Sequence, residues 1–223
     1  GLLTIAAAGD INADGKVELT GSTGIETAGD ITTTDDNVTF KSATTLTGGI
    51  VINTDTGFGT VAFNSTLDSD ADGSGNTNAR TLEITAGTGN IDFDAAVANT
   101  KTLGAVTVNS VATLDTDNVF KAASFTQGAG SVLTQFDGAV TLSGAFDFTG
   151  TALTFNAASN TVGGTMDVTN SGVFATADNA DIEVTGQFTQ DGTSTSSLGG
   201  NLTATAGMNF AKAIALTGND AVV

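Results

Sequence analysis

Phe63-Asn64-Ser65-Thr66-Leu67, Phe93-Asp94-Ala95-Ala96-Val97 and Phe136-Asp137-Gly138-Ala139-Val140 are three copies of one phrase: an aromatic ring, an Asp or Asn, a short run of small residues and a branched aliphatic. Each copy is followed by a turn-rich gap and another short apolar run. A unit this short cannot bury its own apolar face, so the copies must stack on one another and share a continuous core.

Outward from the phrase, the chain is a series of short alternating runs. They are Val17-Glu18-Leu19, Val38-Thr39-Phe40, Ile50-Val51-Ile52, Val61-Ala62-Phe63, Leu82-Glu83-Ile84, Ile91-Asp92-Phe93, Val106-Thr107-Val108, Val140-Thr141-Leu142, Phe146-Asp147-Phe148, Leu153-Thr154-Phe155, Met166-Asp167-Val168 and Ile182-Glu183-Val184. A period of two over three to five residues predicts short strands with one buried face. Turn chemistry separates them, as at Gly9-Asp10, Asp14-Gly15, Gly48-Gly49, Gly163-Gly164 and Gly199-Gly200. No window sustains a helical period, so the chain reads as all-β.

Spacing chooses between a sandwich and a solenoid. Gly9-Asp10-Ile11 recurs 20 residues later as Gly29-Asp30-Ile31, with Val17 and Val38 at matching places after them. Phe63 and Phe93 stand 30 apart, and the excess falls in the Asp-rich stretch from Asp68 to Asn78. A coil near 20 residues that tolerates insertions predicts a right-handed parallel β-helix of about ten coils, a single domain over residues 1–223. The chain has no Pro, which cannot donate to a ladder paired on both sides.

The stretch from Gly59-Thr60-Val61-Ala62-Phe63 through Leu82-Glu83-Ile84-Thr85-Ala86-Gly87-Thr88-Gly89-Asn90-Ile91-Asp92-Phe93 to Leu103-Gly104-Ala105-Val106-Thr107-Val108 resembles the repeats of large bacterial surface proteins of the filamentous-haemagglutinin-like adhesin class. The resemblance covers about residues 40 to 160. It implies a right-handed parallel β-helix exported as a segment of a longer fibre or adhesin, and it brings no catalytic residues with it.

Composition narrows the function classes. Six basic residues against 24 acidic ones give a net charge of -18, which repels nucleic acid and anionic membrane surfaces and favours cations as small partners. The absence of Cys excludes disulfides and thiolate chemistry. A mean hydropathy of +0.15 separates the chain from disordered acidic sequences. No apolar run is long enough to span a membrane. With no His, Cys or Tyr and one Arg, acid-base and nucleophilic mechanisms have little to work with, and no enzyme is expected. A large Cys-free chain rich in Thr, Asn, Asp and Gly fits export to the cell surface, and the resemblance implies a bacterial one.

Two stretches carry candidate metal ligands. In Asp68-Ser69-Asp70-Ala71-Asp72-Gly73-Ser74-Gly75-Asn76, carboxylates at positions 1, 3 and 5 with Gly at 6 match the start of a calcium loop, and Asp68, Asp70, Asp72 and Asn76 are the expected ligands. Position 12 is Ala79, so the bidentate acid is missing, and a solvated acidic loop accounts for the same residues. Asp10, Asn12 and Asp14 repeat the spacing, but Gly29-Asp30-Ile31 occupies the same place in the next coil without it, which favours a turn. The thirteen Phe residues are expected in the core, because a sugar platform would use Trp or Tyr and neither occurs.

The expectation is a structural surface segment acting through length, self-association and an acidic face. A module holding calcium or a cell-surface glycan at residues 68–79 is the alternative, and a polysaccharide-active β-helix the third. Leu2, Leu3 and Ile5 at one end, and Ile214 and Leu216 with Val222 and Val223 at the other, read as uncapped coils to be covered by further repeats or by neighbouring copies.

Overall fold

The computed structural model describes residues 1–70 and 79–218. Among the described residues there is no helix, and every strand pairing is parallel. Three strands per turn wrap around one core, and ten turns stack into a β-solenoid. At about 4.8 Å per coil, the stack is about 50 Å tall.

Each coil contributes to each of three faces, with a strand everywhere except at Val97, where an isolated bridge takes its place. The first face starts at Leu3–Ile5 and runs through Ile25–Thr27 and Thr44–Leu46 to Leu67–Ser69. Bridges at Val97 carry it on to Phe120, and it ends at Leu202–Ala204. The second begins at Ile11–Ala13 and ends at Met208–Phe210, and the third runs from Val17–Leu19 to Ile214–Leu216. All twelve triplets read from the sequence lie in strands. Their outer residues are buried and the middle one points outward, the alternation that a pleated wall around a core demands.

The repeated phrase is the corner from the third face to the first. Phe63 pairs with Phe93, and Thr116 stands in register between Phe93's coil and that of Phe136. At the far end of the phrase, Leu67, Val97 and Val140 also share one column, through Phe120. The sequence hides further copies. Phe40 to Thr44 is one with a polar end, and in Thr116-Asp117-Asn118-Val119-Phe120 the ring has moved from the first place to the last. The corner is tight. A Cβ at Gly138 would stand 2.0 Å from the Asn118 carbonyl carbon of the coil beneath. Gly87, at φ +57, turns where a side chain would run into the Thr56 backbone.

Rings run up the core without a break. Phe40 stacks on Phe63 at 4.4 Å and Phe63 on Phe93 at 5.3 Å; the contacts continue through Phe120, Phe136, Phe155, Phe174 and Phe188 to Phe210. Phe58 is the exception to the expected burial, 81% exposed on the corner between the second and third faces.

The loop predicted over residues 68–79 is overturned at its start, and residues 71–78 lie outside the described residues. Asp68 and Ser69 lie in a regular strand, opposite Thr45 and Leu46. Leu67 and Ser69 are needed as inward residues of the first face, so the coil keeps them. The Arg80 guanidinium grips Asp70 at 2.6 and 3.1 Å, and the Arg80 amide donates to Ser69 Oγ.

Candidate functional site

The outward positions of the third face and the phrase corner bring five carboxylates together on three successive coils. Asp92 and Asp115 are in register on neighbouring strands. Asp94, Asp117 and Asp137 follow those strands at the corner, each donating its amide to a carbonyl of the coil before: Phe63, Phe93 and Thr116. Parallel stacking at the coil spacing turns an Asp that recurs in the sequence into a ladder of like charges.

The upper end of the ladder is the tightest part. Carboxylate oxygens of Asp115, Asp117 and Asp137 lie within 4.8 Å of one another, and these are the described acids that could share a cation. Asp137 is held by neutral amides, accepting from Gln135 at 2.9 Å and from Asn156 at 2.6 Å. One oxygen of Asp115 is buried without a hydrogen-bond partner. Burial, then the negative charges of Asp137 and Asp117, push the Asp115 carboxyl above the usual aspartate range. Asp92 is raised as well, first by burial and then by Asp94, Asp115 and Asp117. On the second face Asp147 stands opposite Asp167, and its carboxyl is raised by burial first and by that neighbour second.

The residues expected to bind calcium are placed differently. Asp68 accepts the amides of Thr100 and Lys101, and Asp70 is engaged by Arg80. Arg80 also holds the Asp70 carboxyl below its usual range, chiefly through their hydrogen bonds. Asp72 and Asn76 lie outside the described residues. Asp10 and Asp14 flank the strand Ile11–Ala13, whose extended backbone holds their Cα atoms about 13 Å apart. Asp10 Oδ1 accepts the amide of Asp30 from the next coil, which is turn chemistry.

The grooves on the walls are shallow, and their polar groups join coils. A groove of about 480 Å³ on the first face carries Asp181 and Glu183. Asp181 accepts both the amide and the side chain of Asn201. Beneath it the buried Asn160 side chain accepts from Val140 and donates to the carbonyls of Ala157 and Asp181, which satisfies it.

The sequence showed the acids of the phrase but not the ladder. Asp115 and Asp117 belong to the copy whose ring has moved, so the register that brings them beside Asp92, Asp94 and Asp137 could not be counted. No family model, curated protein or solved structure matches this chain.

Proposed function

We propose that the chain is a structural rod: a β-solenoid segment of an extracellular fibre, matrix or adhesin on a bacterial surface, acting through its length and its acidic walls. The observation that carries this reading is the use of side chains over ten coils. Inward positions form one unbroken core, and outward positions are mostly small polar or acidic residues whose hydrogen bonds run from coil to coil. Such a surface sets distance and charge. The resemblance of the central repeats to filamentous-haemagglutinin-like adhesins points the same way.

The alternative, a module holding calcium or glycan at residues 68–79, has less support. Both described acids of that stretch are already engaged by neighbouring residues.

The test is immunogold labelling of the source cells with antibody raised against the folded chain, paired with small-angle scattering of the purified protein. Label at the cell exterior and a rod-like scattering profile are expected. Label confined to the cell interior would overturn the surface assignment.

A further inference from the structure

Phe58 is out of place in this chain. The other twelve Phe residues lie in the core or packed against it, whereas Phe58 is 81% exposed. The corner that carries it, residues 54–60, spans seven residues between the strands Ile50–Asn53 and Val61–Phe63. The same corner takes four residues in the coil before, 34–37, and five in the coil after, 86–90. The extra length goes outward, and the ring goes with it.

This corner is fixed from both neighbouring coils and from within. Asp35 Oδ1 in the coil before accepts the Gly57 amide at 2.6 Å, and Asn37 Oδ1 accepts the Thr60 amide at 2.9 Å. In the coil after, the amide and the hydroxyl of Thr88 both donate to the Gly57 carbonyl, at 2.8 and 2.9 Å. Inside the corner, the Thr54 hydroxyl donates to the Gly59 carbonyl and the Asp55 amide to Asn53 Oδ1, each at 2.8 Å. Gly57 and Gly59 stand where a side chain would run into the Asp35 carboxylate and into Thr54. Asp55 takes the left-handed backbone, φ +65, that Asp tolerates better than most residues. A loop held this firmly presents its ring in one place, so a partner that meets it has little loop ordering to bring about.

Charge says what that partner is. Asp35 and Asp36 lie against Gly57 and Gly59, the residues on either side of Phe58, and Asp55 precedes the ring by three positions. Among the described residues no Lys or Arg pairs with any of the three. Lys16, on the same corner two coils earlier, is engaged by Glu18 at 3.3 Å, and residues 86–90 of the coil after carry no charge. An open aromatic face therefore stands in a patch of carboxylates without counter-charge.

We propose that Phe58 with Asp35, Asp36 and Asp55 is a docking point for a basic segment of a partner protein, an Arg side chain lying on the ring. The face of an aromatic ring attracts a cation, and a guanidinium is flat enough to stack on it while its N–H groups donate to carboxylates at the side. A second copy of this chain suits the site poorly, because its net charge is -18 and its one Arg, Arg80, already holds Asp70. A neutral saccharide would gain nothing from the charge. The docking point adds a partner to the rod and does not depend on where the rod is displayed.

Nuclear magnetic resonance on the full chain, isotope-labelled at its Phe rings, tests the site by titration with the peptide Arg-Gly-Arg-Gly-Arg at about 0.15 M NaCl. A saturable shift of the Phe58 ring signal is expected, that signal being the one missing from Phe58→Ala. Phe58→Leu keeps an apolar side chain but removes the ring face, and should weaken binding by about fivefold. Asp36→Asn with Asp55→Asn should weaken it by about as much, and Asn also tolerates the left-handed backbone at 55. The charge-matched pair Asp167→Asn with Asp178→Asn, five coils away, should leave it unchanged. Phe58 is mostly exposed, so Phe58→Leu should melt with the parent and keep the test readable. No saturable shift, a shift indifferent to Phe58→Leu, or equal losses from the two Asp pairs would overturn the docking point, the last by showing general attraction to an acidic rod. A shift of the Phe58 ring with maltohexaose and none with the peptide would overturn it in favour of a sugar contact. None of these results bears on the rod itself, whose shape is read separately by scattering.

Discussion

Phe120 fills the place that Thr116 leaves empty in the phenylalanine column. Its ring lies edge-on to Phe93 at 6.1 Å and to Phe136 at 5.5 Å, while the Thr116 hydroxyl is buried with no partner. A buried hydroxyl that makes no hydrogen bond costs about 1–3 kcal/mol. Thr116→Val keeps the shape and removes that cost, so it should raise stability by about 1 kcal/mol in urea unfolding. Thr116→Phe should lower it by about 1–3 kcal/mol, because Phe120 already occupies the space.

Phe63 and Phe93 are the stacked pair at the centre of the repeat, each fully buried. Phe93→Ala opens a cavity between coils that the backbone ladder prevents from collapsing. The expected loss is about 3–5 kcal/mol. Equilibrium denaturation measures it, and a loss below 1 kcal/mol would mean that the ring carries no packing load.

How far the fold was legible follows from these residues. Phe63, Phe93 and Phe136 announced the coil because large inward side chains recur at one register. Thr116 and Phe120 broke the pattern by exchanging the ring between two faces, which conserves core volume while erasing the motif. Asp68 and Ser69 were misread for a related reason. An Asp-rich composition suggests a loop, but the strand needs only Leu67 and Ser69 inward and is indifferent to an Asp between them. The acidic ladder needs three coils in correct register, so it was hidden by the same exchange.

Acid should stabilise the rod. Asp92, Asp115 and Asp147 all have carboxyls raised by burial and by neighbouring acids. Stability from such a group is fully present below the unfolded-state value, near 3.8, and is lost as pH rises through the higher folded-state value. Glu18 and Asp70 act in the opposite sense, lowered by their hydrogen bonds to Lys41 and to Arg80, but these are surface pairs of small weight. Melting temperature should therefore fall between pH 4.5 and pH 7.5. Asp115→Asn should melt higher than the parent at pH 7.5, with the gap closing toward pH 4. A parent that melts higher at pH 7.5 would contradict this account of the ladder.

Side-by-side contact is opposed by the same charge. Parallel rods bring acidic walls together along their whole length, and at 0.15 M salt screening removes repulsion only beyond about 8 Å, so repulsion survives at contact distances. Raising NaCl should permit lateral association gradually. Magnesium or calcium should do so at far lower concentration, because a divalent ion between two carboxylate ladders neutralises both. Light scattering during parallel salt titrations, with microscopy to separate bundles from filaments, measures the difference. The variant Asp92→Asn, Asp115→Asn, Asp117→Asn, Asp137→Asn should bundle at lower NaCl and lose most of its preference for divalent ions. Equal sodium and magnesium requirements in the parent, compared at matched ionic strength, would show that simple screening is enough and that the ladders bridge nothing.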